Sequence, residues 1–326
     1  MFIYAIFKSK NTIIMLDMND TMTLASRGYL RSTDTIDEDR CDELSFIDVP
    51  SQLVLPKRHQ SNVRILTYNL HGFKDQYKRK RLDAIIEVIG TIDPDVVIFQ
   101  EIYVYRQNEA CNQHQLKELL EPFGLIHSSF SLSGINAIFS KYQFESEEIN
   151  LGRDPKLHLP RNALIATFPT VDVLNDLVIV GTHLDPFDET GSLRIKQMEL
   201  ILNYLNRLNN LSQKKQSKES KIQRFIVAGD FNSLRRDDYT EAEWNQITQI
   251  DSERHVTTTT DCVPLIEKNN FIDASTYCGK SIKVSVWANR RVDYIYGNNV
   301  KFVQVSELKT THSDHYPIYA DFCNKL

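Results

Sequence analysis

Seven short apolar runs constrain this chain more than any other feature: Val63–Tyr68, Asp95–Gln100, Ala163–Phe168, Leu177–Thr182, Phe225–Gly229, Val292–Tyr296 and Pro317–Phe322. Each has strand length, and many are apolar on both faces, which predicts strands covered on both sides. Between them, three apolar stripes follow helical spacing: Leu82, Ile85, Ile86 and Ile89; Leu116, Leu119, Leu120 and Phe123; Ile195, Met198, Leu202 and Leu205. A stripe of this kind packs a helix onto a core. The helices are too few for strict strand–helix alternation, so two packed sheets flanked by helices are predicted over a doubly wound parallel sheet. No internal repeat is present.

With 326 residues, 41% hydrophobic and 25% charged, the chain has material for one large domain or two ordinary ones. Its 38 Lys and Arg against 43 Asp and Glu leave a net charge of −5. A strongly basic domain is therefore excluded, and any contact with a polyanion must be local. No apolar stretch reaches membrane-spanning length, and the opening MFIYAIF has no basic flank before it and meets Lys8. Neither a membrane span nor a signal peptide is expected. The five cysteines are scattered and form no C-x-x-C pair, so they read as free thiols of a reducing compartment. An intracellular protein, cytoplasmic or nuclear and not secreted, is the expectation. Residues 1–60 show no helix or strand period and carry the acidic run Asp34–Glu43. They read as an N-terminal extension of unassigned role, partly disordered, ahead of a domain over 61–326. The run from Lys214 to Lys221 reads as a solvated loop.

Nearly every strand ends in residues a core would not choose. Asn69-Leu-His71 follows RILTY, Gln100-Glu101 follows DVVIF, and His183-Leu-Asp185 follows LVIVGT. Asp230-Phe-Asn232 follows FIVAG, and Ser313-Asp314-His315 precedes YPIYADF. Strand ends are where a rigid scaffold can aim side chains at one cleft. Glu101 with Asn69 suits a hard cation that keeps most of its waters, which favours Mg²⁺ or Mn²⁺ over zinc. Asp230 and Asn232 share a Gly-led turn, where one can orient or deprotonate a water and the other donate to an anionic oxygen. His183 and His315 can donate to phosphate oxygens, best as imidazolium beside a carboxylate, for which Asp293 and Asp314 are candidates. The G-x-x-x-x-G-K-[ST], G-x-S-x-G and H-E-x-x-H patterns are absent, so NTP-driven work, serine hydrolysis and zinc proteolysis lose ground.

These motifs resemble the endonuclease/exonuclease/phosphatase superfamily. That group includes pancreatic-type deoxyribonucleases, AP endonucleases, tyrosyl-DNA phosphodiesterases, neutral sphingomyelinases and inositol-polyphosphate 5-phosphatases. The likeness runs in order through TYNLHG, PDVVIFQE, INAIFSKY, GTHLD, GDFNS, RVDYIY and SDHYPI, about four-fifths of the chain. It implies an α+β fold, a four-layer α/β/β/α sandwich of two mixed sheets with outer helices. It also implies that Asn69, Glu101 and Asp314 form the metal site, with Glu101 the direct ligand. By the same carry-over Asp230 orients the water, Asn232, His183 and His315 meet the phosphate, and Asp293 holds His315. Phe231 stands where tyrosyl-DNA phosphodiesterases usually carry Thr, which counts against that substrate.

The expected function is metal-dependent hydrolysis of a phosphodiester by in-line attack of water, with Mg²⁺ or Mn²⁺ as cofactor. A nuclease-like substrate is favoured because Arg235-Arg236 and Arg290-Arg291 place paired cations beside motif loops. Arg161 and Asn162 are further candidates for substrate binding, and Arg194 with Gln197 occupy family-like positions. The alternatives are a small-molecule or lipid head-group phosphoesterase and, in another class, a catalytically silent binding module. No obligate protein partner is implied.

Overall fold

The computed structural model describes residues 4–9, 12–17, 58–59, 61–104, 111–172, 174–214, 223–253 and 257–324. The strands are β1 (Tyr4–Ser9), β2 (Thr12–Asp17), β3 (Asn62–Asn69), β4 (Val96–Gln100), β5 (His127–Phe130), β6 (Ala137–Ser140) and β7 (Glu145–Arg153). They continue as β8 (Pro160–Thr167), β9 (Leu177–His183), β10 (Arg224–Asp230), β11 (Ile272–Asp273), β12 (Asp293–Asn298), β13 (Phe302–Glu307) and β14 (Ile318–Cys323). The α-helices are α1 (Leu82–Ile92), α2 (Gln113–Leu120), α3 (Ser192–Lys214), α4 (Glu241–Glu253), α5 (Cys262–Lys268) and α6 (Ala274–Tyr277). The predicted stripes lie on α1, α2 and α3, except that Phe123 of the second falls in the 3-10 turn Glu121–Phe123 after α2.

Two six-stranded sheets form the domain, one in the order β13-β14-β3-β4-β6-β5 and the other β11-β12-β10-β9-β8-β7. Both are mixed: β3 runs parallel to β4 and β9 parallel to β10, while the other pairs are antiparallel. Alternation along the strands sorts side chains into layers. Ile65 and Ile98 from one sheet meet Ile179, Ile226 and Ile295 from the other in a shared inner core. Each is essentially inaccessible to solvent, and a buried Ile contributes roughly 1.5–3 kcal/mol. The opposite faces are covered by helices: Ile85, Ile89 and Leu116 pack on the first sheet, and Met198, Leu202 and Val263 on the second. This is the four-layer sandwich. The sheets approach so closely at Gly181 that a Cβ there would lie 2.7 Å from Ile98.

A separate antiparallel pair, β1 with β2, lies in the N-terminal extension, where no regular element is predicted from sequence. The acidic run, the expected disorder of the extension, Cys41 and residues 215–221 of the Lys-rich loop lie outside the described residues. The four cysteines that are described form no disulfide. Among the described residues no helix is long and apolar enough to cross a membrane.

Candidate active site

The alternation that buries Ile65, Ile179, Ile226 and Ile295 between the sheets continues to the strand ends and turns polar there. Asn69 and His183 end β3 and β9, Asp230 ends β10, and Asp293 begins β12. Asp230 is the backbone partner of His183 on one side and of Asp293 on the other. In the facing sheet, Asn69 pairs with Gln100, so Glu101 emerges beside it, and His315 lies just before β14 at the same end. Gly229 makes the Asp230 end possible. Its φ is +144°, and a Cβ there would meet the Thr182 carbonyl oxygen at 1.9 Å.

Hydrogen bonds knit the two sheets together at this point. Asn69 Nδ2 donates to Asp230 Oδ2 at 3.0 Å and to Glu101 Oε1 at 3.2 Å. Tyr103 donates its hydroxyl to Glu101 Oε2 at 3.0 Å. Ser313 Oγ donates to the Asn69 carbonyl at 2.8 Å, which carries the SDH segment into the cluster. Asn232 donates its backbone N–H to Asp230 Oδ1 and one amide hydrogen to the Leu184 carbonyl. Phe231 between them is buried against Tyr294 and Tyr296, so the turn is anchored by its apolar residue. His71, Glu101 and Asn232 all have φ between 47° and 55°, a left-handed backbone that costs a non-glycine residue energy and that clusters at functional sites.

The two histidines have opposite electrostatics. His315 donates Nδ1–H to Asp293 Oδ2 at 2.8 Å, although 22 residues separate them in sequence. Burial opposes charge on this ring, but Asp293, by charge and hydrogen bond, with Asp230 and Asp314 behind it, raises its pKa well above the usual value. These neighbours therefore favour the imidazolium form of His315. His183 is buried and has the Arg161 guanidinium 3.4 Å from Nδ1. Burial and Arg161 outweigh Glu101 and lower its pKa to about 3. The sequence reading that such a histidine donates best as imidazolium beside a carboxylate suits the surroundings of His315, whereas behind His183 stands a cation. A guanidinium can only donate, so His183 Nδ1 accepts and its proton sits on Nε2. That Nε2 lies 3.6 Å from Asp230 Oδ2 and 3.9 Å from Glu101 Oε1. Burial and Asp293 raise the Asp230 pKa, against His315, the Asn232 N–H and Asn69.

Glu101 is the group suited to a cation. Burial pushes its carboxyl up, but His183, His71, His315 and the Asn69 amide outweigh it and hold it at about 2. Among the described residues, Glu101 and Asp314 form ion pairs only with histidines, Asp314 lying 3.5 Å from His71 Nδ1. Among the described residues, then, neither carboxylate is paired with a Lys or Arg, which fits a hard divalent cation. Asp230, Asp293 and His315 also bring one ligand atom each within 4.8 Å of the others. The set expected from the sequence, Glu101, Asn69 and Asp314, is a different one at the same strand ends.

The candidate substrate arginines are committed elsewhere. Arg235 donates to Glu267 and Asp238, and Arg236 pairs with Glu241 and caps the Trp244 ring. Arg290 makes a buried two-armed pair with Asp251, and Arg291 binds Asp273 and Asp238 with no exposure. Arg290 and Arg291 are internal props, Arg235 is mostly covered by its pairs, and Arg236, with its side chain 38% exposed, is paired on the surface with Glu241. Asn162 is held by Ser133 and Glu148. Arg194 bonds the Asp185 and Asp188 carbonyls and Asp261, and Gln197 accepts from the Asp185 N–H, so both order the loop after β9. Sequence reasoning misses Tyr103, the only signal for which is its place two residues after Glu101. It also misses Asp154, which holds Arg161 at 3.2 Å from 7 residues away.

A sequence model described as Endonuclease/Exonuclease/phosphatase family matches residues 66–315. The chain belongs to this family. No curated protein is matched by sequence. Its fold is shared with an endonuclease/exonuclease/phosphatase from Beutenbergia cavernae (TM-score 0.54, 19% identity, 81% of this chain and 72% of that one). D. rerio TDP2 complexed with single-strand DNA product is also similar (TM-score 0.51, 19% identity, 80% of this chain and 99% of that one). So is ANGEL2, a 2',3'-cyclic phosphatase, complexed with adenosine-2',3'-vanadate (TM-score 0.55, 15% identity, 80% of this chain and 95% of that one). The family fold is that of phosphoesterases, and these relatives at under 25% identity speak to fold alone.

Proposed function

We propose that this chain is a metal-dependent phosphodiester hydrolase acting by in-line attack of water, with Mg²⁺ or Mn²⁺ as cofactor and a nucleic acid as substrate. The observation that carries the reading is that His315 and His183 bring their Nε2 atoms to 3.7 and 3.6 Å from one carboxylate oxygen, Asp230 Oδ2, which Asn69 links to Glu101. Asp230, with its pKa raised, is suited to orient the water and accept its proton as the oxygen bonds to phosphorus. The bond from phosphorus to the leaving oxygen breaks, and no covalent enzyme intermediate is needed. His315 meets the negative charge that develops on the non-bridging oxygens, and His183 offers a neutral Nε2–H to them. Asn232 has a second amide hydrogen for the same oxygens. A hard cation held by Glu101, with Asn69 and Asp314, would supply positive charge to the phosphate or leaving oxygen. On this reading residues 61–326 carry the reaction, and the extension 1–60 is dispensable for it.

Hydrolysis of bis(p-nitrophenyl) phosphate, with Mg²⁺ and with EDTA, tests the reaction. Activity should vanish in EDTA and return with Mg²⁺, and Glu101→Gln should need at least roughly tenfold more Mg²⁺. Full hydrolysis by the wild type in excess EDTA, or an unchanged Mg²⁺ requirement in the variant, contradicts the mechanism. Parallel assays on single-stranded DNA, RNA, sphingomyelin and inositol phosphates test the substrate class, and preference for either of the last two replaces the nucleic-acid reading by the small-molecule or lipid head-group one.

A further inference from the structure

We infer that the turn from Lys74 to Arg81, between β3 and α1, is a docking surface for the backbone of a single-stranded nucleic acid entering the site. This deepens the nucleic-acid reading and rests on it. The segment KDQYKRKR holds five cations and one carboxylate, a local charge of +4 in a chain of −5. It is also attached directly to the candidate site. The preceding Gly72 donates its N–H to the Glu101 carbonyl at 2.8 Å, and His71 lies 3.5 Å from Asp314.

The turn is built, and one buried residue builds it. Asp75 Oδ1 accepts the Tyr77 and Arg79 backbone N–H groups, and its Oδ2 accepts Arg79 Nε at 2.7 Å and Arg81 Nε at 3.1 Å. Lys74 and Lys80 form an antiparallel bridge across the turn, and Lys78 takes a left-handed φ of 64° at its tip. Lys78 and Lys80 are exposed on this ordered backbone. A solvated loop needs no such scaffold for like charges that repel one another. Cations on such a backbone neutralise successive phosphates at little cost in ordering it.

Tyr77 decides between kinds of polyanion. Its ring is 47% exposed at the same tip, with the Arg79 guanidinium 5.0 Å from its centroid. An exposed aromatic among cations is a stacking platform for unpaired bases. A lipid surface would call for exposed aliphatic residues, and the turn has none, since Phe73 is buried and residues 74–81 contain no aliphatic side chain. Arg235, Arg236, Arg290 and Arg291 are each engaged in ion pairs, whereas Lys78 and Lys80 of this turn are exposed, among the described residues, close in sequence to the cleft.

The test is fluorescence anisotropy with a labelled oligo(dT) of about 20 nucleotides in EDTA, which stops turnover, over a range of KCl concentrations. Lys78→Gln with Lys80→Gln should reduce the slope of log affinity against log salt by about 1.4, two single-strand phosphate contacts. Tyr77→Ala should weaken binding roughly tenfold at every salt concentration with the slope unchanged. Lys268→Gln with Lys301→Gln changes the same charge at exposed lysines outside the turn and should leave the slope as in the wild type. An unchanged slope in the first double variant, or equal changes in both, overturns the inference. So does binding of the wild type to phosphatidylserine vesicles without binding to the oligonucleotide. Failure of bis(p-nitrophenyl) phosphate hydrolysis would instead strike the reaction, because the binding measurement involves no chemistry.

Discussion

Two histidines approach the same oxygen, Asp230 Oδ2, at nearly the same distance, 3.7 Å from His315 Nε2 and 3.6 Å from His183 Nε2. What stands behind each ring differs. Asp293 lies 2.8 Å from His315 Nδ1, and Arg161 lies 3.4 Å from His183 Nδ1. The first ring is biased toward its protonated form and the second toward its neutral one, so one side of the cleft favours a charge and the other a dipole. Two imidazolium rings this close would repel each other. The residue behind a histidine, more than the cleft in front of it, decides its state.

Removing the anion behind His315 should have the largest effect. Asp293→Asn keeps the shape, and turnover should fall about 10²–10³-fold with little change in KM. The alkaline limb of the pH–rate profile should also move down toward the ordinary histidine range, because His315 loses its proton more readily. A limb that stays in place would mean that Asp293 does not set the charge. Replacing the cation behind the other ring comes next. Arg161→Gln should cost roughly tenfold in turnover, about 1.4 kcal/mol, as His183 becomes free to take the other tautomer. If Arg161→Lys fails to restore part of this loss, contact with the substrate and not placement of His183 explains the residue.

A third effect is on stability against pH, measured by thermal unfolding, and here the two rings have opposite signs. His183 is depressed: unfolded chains bind its proton near 6.5 while the native ring resists to about 3. Its contribution is present above 6.5 and is lost as pH falls toward 3. Glu101, held at about 2 against 4.5, adds a similar loss only below 4.5. His315 is raised, so its contribution is present below 6.5 and is lost as pH rises through its native value. His183→Gln should flatten the curve between 6.5 and 4.5, and His315→Gln should flatten the alkaline side. The reverse assignment would break the comparison.

The same contrast between local and distant partners marks what is legible in the sequence. The seven predicted strands are all interior strands, where both faces and both edges are covered and the run is mostly apolar, Arg64 and Asp321 being buried exceptions. The four edge strands, β5, β7, β11 and β13, escape prediction because one edge meets no partner strand; β7, ESEEINLGR, buries only Leu151. β6 is interior but only four residues long. Asn69, Glu101, His183, Asp230 and His315 are legible because each interrupts an apolar pattern at a strand end. The fate of the arginines is not. Arg290 finds Asp251 at a distance of 39 residues and Arg235 finds Glu267 at 32, and nothing local to either announces the partner. Arg161 is legible as a candidate, but its effect on His183 depends on Ala163 and Thr182 being backbone partners across β8 and β9.

The difference between the two rings can be read directly by long-range ¹H–¹⁵N spectra of histidine-labelled protein at neutral pH in EDTA, with His183→Gln and His315→Gln providing the assignments. The account predicts both nitrogens of His315 protonated, and His183 neutral with its hydrogen on Nε2 and a bare Nδ1. A charged His183, a His183 with its hydrogen on Nδ1, or a neutral His315 would contradict it.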